Sequence, residues 1–106
     1  MNGHVTLVVI LTVRSEALDK FRTFEKKAAG VMAKYGGAIE RTVVIAPQST
    51  GDFLKEIHIV TFPHEQALFA YQRDGDLREV AHLREESVVK TEILMGEDGP
   101  DYGAAS

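Results

Sequence analysis

The segment order predicts an α+β domain of the ferredoxin-like kind: strand, helix, strand, strand, helix, strand. Three observations carry that expectation. Four runs are β-branched and apolar without helical periodicity: Val5 to Val13, Ile39 to Ala46, Phe53 to Phe62 and Val88 to Met95. Between the first two runs, Leu18, Phe21, Phe24, Ala28, Val31, Met32 and Tyr35 recur at steps of three and four. Between the last two, Ala67, Leu68 and Tyr71, then Leu77, Val80, Ala81 and Arg84, repeat that spacing. The result is a four-stranded antiparallel sheet. Right-handed crossovers place the helices on one face.

The elements follow in order. Ser15 is the expected N-cap of the first helix, with Glu16 and Asp19 near its positive end. Gly30 interrupts that helix at a cost of about 1 kcal/mol against alanine. Gly36-Gly37 ends it, since glycine adopts the left-handed closing conformation freely. The second and third strands form a hairpin across Pro47, Gln48, Ser49, Thr50, Gly51 and Asp52. Pro63 ends the third strand, having no N–H to donate. A helix is expected from about His64 to Arg73, broken at Asp74-Gly75, with a second helical piece after it. Residues 1–96 make one domain, and 97–106 read as a mobile tail.

Composition narrows the function classes. The chain has 106 residues, 44% apolar and 26% charged, with formal net charge −4. No lysine/arginine-rich stretch offers the positive charge that phosphate requires, so no nucleic-acid partner is expected. Absence of cysteine removes disulfides, thiolate metal sites and thiol catalysis. The longest apolar run, Leu7 to Leu11, falls far short of the ~20 residues that span a bilayer. No membrane association is expected, and the cytoplasm is the default.

The strands also predict assembly. A sheet with one wet face alternates apolar and polar residues. Here Leu7, Val8, Val9, Ile10 and Leu11 are apolar on both sides, as are Val43 to Ala46. The third strand gives Ile57 and Ile59 to one face, Val60 and Phe62 to the other. The helices cover one face. The other calls for a second copy, giving a homodimer through the sheet face. Burying about 600 Å² per subunit at ~25 cal/mol per Å² contributes on the order of 15 kcal/mol before association costs.

Certain residues carry a family resemblance. Tyr35-Gly36-Gly37, then Thr61-Phe62-Pro63 leading into Ala67 and Tyr71, then Leu83-Arg84 and Gly96, resemble the DUF1330-like proteins of the dimeric α+β barrel superfamily. The resemblance spans about residues 5 to 96 and implies a ferredoxin-like protomer whose sheet pairs with a partner's in a barrel. This chain departs from it twice, with Thr61 where many members have Glu and His64 where many have Ser or Asp. The superfamily's quinone-forming monooxygenases use Asn and Trp. This chain has no tryptophan, and its only asparagine is Asn2. The resemblance to polyketide cyclases of the olivetolic acid type assigns their helix tyrosine to Tyr71, but their partner histidine falls at Leu77.

His58, Tyr71 and Arg84 are the candidate site residues. His58 shares a strand face with Glu56, Val60 and Phe62. An imidazole among apolar neighbours either acts as acid or base or is a hydrogen-bonded core histidine. Tyr71 and Arg84 lie on inward helical stripes. They bind a carboxylate or enolate, or they are structural: Tyr71 bonded to backbone, Arg84 paired with Glu25 or Glu92. His4, His64 and His82 read as surface residues, and Tyr35 as core closure. No metal-ligand spacing, phosphate loop or dinucleotide fingerprint occurs, so no metal and no cofactor is expected. Two functions stand. One is a cofactor-free enzyme acting on a small aromatic or polyketide-like molecule. The other is a non-catalytic module that binds a small molecule or serves as a structural homodimer.

Overall fold

The computed structural model describes residues 4–46 and 51–103. The chain runs through β1 (Val5–Arg14), a 3-10 turn (Ser15–Ala17), α1 (Leu18–Lys34), β2 (Ala38–Ile45) and β3 (Phe53–Phe62). It continues through α2 (Glu65–Gln72), α3 (Gly75–Glu79), α4 (Ala81–Ser87) and β4 (Val88–Gly96). The sheet order is β2-β3-β1-β4, every pair antiparallel. This is the ferredoxin-like α+β arrangement that the sequence predicts. Among the described residues, no helix is long and apolar enough to cross a membrane. Pro47 to Thr50 of the predicted turn lie outside the described residues.

Local chemistry explains the helix ends. Gly36 has φ 77°, and its N–H donates to Ala33 O (3.1 Å) while Gly37 N–H donates to Met32 O (3.0 Å). That double closure needs a left-handed residue, which glycine supplies. Gly37 is fixed for another reason: a Cβ there would lie 2.5 Å from Phe62 Cε1 and 2.6 Å from Met32 Cγ. At α2 the residue after Phe-Pro does act as a cap. His64 is extended, and its Nδ1 accepts from Ala67 N–H at 3.1 Å. Asp74 caps α3 through Asp76 N–H, accepts from Tyr35 Oη (2.5 Å) and pairs with Lys34 (2.8 Å). Tyr35 is thus a clasp between the end of α1 and α3 as well as core closure.

Two local expectations need correction. Ser15 does not cap α1. Its N–H extends the β1–β3 ladder to Asp52 O (2.9 Å), and its Oγ is buried without a partner among the described residues. The region after Asp74 forms two short helices, because the chain turns at Val80 between them. Gly30 has open space around it, so the structure supplies no steric reason for it.

Alternation sorts the sheet into two faces. Val5, Leu7, Leu11 and Val13 of β1, with Leu54, Glu56, His58, Val60 and Phe62 of β3, are buried under the helices. That covered face holds two apolar clusters. One joins Leu7, Met32, Val60, Phe62 and Leu68; the other joins Leu11, Val13, Phe21 and Leu54. Glu56 and His58 sit between them, opposite Leu11 and Val9. The other face carries Val8, Ile10, Val43, Ile45, Ile57, Ile59 and Leu94. Val43 and Ile45 are exposed, as is Leu94 at 61%. The helices do not shelter the whole of their own side: Val44, Ile93 and Met95 remain exposed on the edge strands. Residues 97–103 continue without helix or strand, and Thr6 Oγ1 donates to Asp98 at 2.8 Å.

Candidate functional site

A cavity of about 290 Å³ lies where the covered face changes from apolar to polar. Its floor is Leu7, Val9 and Leu11 of β1 with His58 and Val60 of β3. Its walls come from Phe24, Glu25 and Met32 of α1, Tyr71 and Gln72 of α2, Leu77 and Arg78 of α3, and Arg84 of α4. All three residues singled out in the sequence therefore face one enclosure. An apolar lining with a few converging polar groups suits a small, flat ligand.

The polar groups form a chain. Arg22 pairs with the Oε2 of Glu56, which is 2% exposed. Glu56 Oε1 lies 2.8 Å from His58 Nε2. A carboxylate only accepts, so Nε2 carries the hydrogen and donates it. That fixes the ring and leaves Nδ1 turned toward Glu25, whose Oε1 is 3.8 Å away. Burial drives the Glu25 carboxyl upward from its ordinary range. Glu56 adds to that rise, while His58, Arg84 and Arg22 oppose it. Glu25 and His58 thus face each other across the cavity, close enough to pair without sharing a hydrogen bond.

Tyr71 is half-buried and packs against Phe62, ring centroids 5.5 Å apart. Burial, helped by the Glu25 carboxylate and opposed by Arg84, pushes its phenol up to about 12. It therefore stays a hydrogen-bond donor at neutral pH. Arg84 corrects an expectation. It pairs with neither Glu25 nor Glu92; its Nη2 donates to Thr91 Oγ1. Thr91 stands opposite Leu11 on the covered face, whereas Glu92 stands opposite Ile10 on the other.

His4, His64 and His82 are exposed, and among the described residues no group of three His, Asp or Glu could hold a metal ion. Thr61, where the family resemblance expects glutamate, points to the open face and donates to Glu40 (2.8 Å), away from the cavity. Leu77, where the cyclase resemblance expects histidine, does line the cavity. The imidazole there comes instead from the sheet, as His58. Sequence reasoning missed Glu25 as a site residue. The signal was present: Leu18, Phe21, Glu25, Ala28 and Met32 step by three and four, so a carboxylate occupies an inward position.

Fold and cavity together define a ferredoxin-like α+β protein with a ligand-sized enclosure between sheet and helices. No family model and no curated protein matches the sequence. Solved structures do match in fold. A protein of unknown function from Rhodopseudomonas palustris superimposes with TM-score 0.74 at 12% identity, over 95% of this chain and 86% of that one. SnoaB, a cofactor-independent oxygenase from Streptomyces nogalater, gives 0.66 at 13% identity, over 96% and 99%. A dimeric protein of unknown function and ferredoxin-like fold from Bacteroides fragilis gives 0.64 at 16%, over 92% and 98%.

Proposed function

We propose that this chain is a homodimeric enzyme of the DUF1330-like, dimeric α+β barrel type. It works in the cytoplasm without a cofactor and removes an acidic proton from a small aromatic or polyketide-like ketone. One observation carries the reading: His58, Glu25, Tyr71 and Arg84 line a single cavity, and buried Glu56 orients the imidazole. In the step itself, a C–H bond beside a carbonyl breaks. The proton passes to the Glu25–His58 pair, and the electron pair moves onto the carbonyl oxygen. Tyr71 donates its phenolic hydrogen bond to that forming oxyanion. The apolar side chains Leu7, Val9, Phe24, Met32 and Val60 beside these groups lower the local polarity and strengthen both interactions. The same fold serves SnoaB, named as a cofactor-independent oxygenase, so the fold is compatible with cofactor-free chemistry.

The dimer is supported by Val8, Ile10, Ile57, Ile59 and Leu94 sharing the uncovered face, and by the dimeric neighbour from B. fragilis. Leu94→Asp should lower the sedimentation mass to that of one subunit, whereas an unchanged mass would refute an interface on this face.

The test of the chemistry is deuterium exchange at the benzylic CH₂ of 1-phenylpropan-2-one, followed by NMR. Wild type should accelerate exchange, and His58→Gln and Glu25→Gln should each abolish the acceleration. General acid–base groups contribute on the order of 10²–10⁴-fold. Exchange at the wild-type rate in both variants would refute the assignment. A second reading, a non-catalytic binding module, draws on one feature: His58 Nε2 and Arg84 Nη2 already have protein partners. It predicts a ligand-induced rise in melting temperature without exchange.

A further inference from the structure

We infer that the cavity's ligand carries a permanent negative charge, most simply a carboxylate, held against the wall made by Arg84 and Arg78. This rests on the cavity being a ligand site, and it names the class of molecule that enters. The first observation concerns Arg84. Arg84 is half-buried, yet its side chain meets a neutral hydroxyl, Thr91 Oγ1, and no carboxylate within ion-pairing distance among the described residues. Buried charges in proteins are paired, because leaving water unpaired is costly. Glu56 in this same core obeys that rule, with a guanidinium on one oxygen and an imidazole on the other. Arg84 has no carboxylate in direct contact, and Glu25 acts on it only through space, so a directly paired counter-charge would come from outside the chain.

The second observation is Arg78. It lines the same cavity from α3 and makes no ion pair or side-chain hydrogen bond among the described residues. An exposed arginine is ordinary; one on the rim of an enclosure that already holds the half-buried Arg84, with no carboxylate in direct contact, adds to a single positive wall. The other charges of the cavity are accounted for. Arg22 pairs with Glu56, and burial disfavours the charged form of Glu25. The remaining excess is positive, in a chain whose formal net charge is −4. Guanidinium forks match a carboxylate in two parallel hydrogen bonds, which fixes orientation as well as charge. A ligand anchored at α3 and α4 extends across Leu7 and Val9 toward the Glu25–His58 pair. The anchor thereby selects which hydrogen of the ligand meets the base.

The experiment compares two probes with the same reacting CH₂: phenylpyruvate, which carries a carboxylate, and neutral 1-phenylpropan-2-one. NMR titration of wild type should give phenylpyruvate at least about tenfold tighter binding, a preference that falls with added salt. Arg84→Gln should reduce the ratio to near one, and Arg84→Lys should retain part of it. Arg78 is exposed, so Arg78→Gln keeps the fold and should lower the ratio severalfold on its own. Equal affinity for the two probes in wild type, no binding of phenylpyruvate, or a full preference in both glutamine variants would each overturn the inference. Equal affinity with His58-dependent exchange of both probes overturns the anion seat and leaves the acid–base reading intact. An Arg84-dependent preference without exchange does the reverse.

Discussion

Replacing Glu56 and His58 singly and together by leucine measures whether the polar row inside the core acts as one unit. Glu56 is 2% exposed and His58 4%. In Glu56→Leu, the Nε2–H of His58 loses its acceptor while staying out of water, which costs roughly 1–3 kcal/mol. The partner on the other side, Arg22, has a side chain 43% exposed and returns to solvent with little penalty. In His58→Leu, Glu56 keeps Arg22 but loses one of its two donors, for a similar roughly 1–3 kcal/mol. In the double variant neither polar group remains to be left bare, and two apolar clusters that already flank the row close over it. Exchanging a buried polar pair for apolar groups of similar volume is nearly neutral. The singles should therefore overshoot the double by roughly 2 kcal/mol, within the range of coupling seen for contacting residues. Urea unfolding at one fixed protein concentration reads this as midpoints about 1 M below wild type for each single, with the double recovering toward it. If the two losses add to within ~0.5 kcal/mol, the pair is not coupled, and the imidazole is not held as the acid–base chemistry requires.

Three further outcomes follow from particular contacts. Gly37→Ala pushes a methyl into Phe62 and Met32, both buried walls of the core and the cavity, so it should lose roughly 1–3 kcal/mol and melt several degrees lower; a melting temperature equal to wild type would place Phe62 elsewhere. Asp74 is held at about 2, below its ordinary 3.8, first by Lys34 and then by the Tyr35 hydroxyl. A depressed carboxyl stabilises the fold above its unfolded value and loses that contribution as pH falls from about 4 toward 2. Asp74→Asn, which keeps the cap, should thus unfold earlier than wild type in urea at pH 7, with the gap shrinking as pH falls toward 2; a gap at pH 2 as large as at pH 7 would refute the assignment. Glu25 runs the other way. Its carboxyl is raised above 4.5, chiefly by burial, so the stability present below that value is lost as pH rises through its folded pKa. Glu25→Gln should raise the urea midpoint at pH 7 while abolishing exchange, and a lower midpoint would show that Glu25 serves the fold.

The sequence by itself determined the layers. Period-two runs such as Leu54, Glu56, His58, Val60 and Phe62, and the three-and-four stripe from Leu18 to Met32, state which residues turn inward whatever their partners are. Gly36-Gly37 and Pro63 punctuate them through backbone sterics alone. Hence the succession of elements along the chain and an inward set that includes His58 and Tyr71 were legible in the sequence, whereas strands apolar on both sides left open which face the helices cover. What the tertiary structure alone decided is which inward groups meet. Glu25 and His58 are 33 positions apart in the numbering, and no local rule brings a helix carboxylate to 3.8 Å from a strand imidazole. Arg84 had Glu25 and Glu92 as plausible partners on paper; the β1–β4 register put Glu92 on the opposite face and left the guanidinium with Thr91. Periodicity is a property of one segment, set by the backbone repeat. Pairing across segments depends on register and crossing geometry, which the whole fold sets at once.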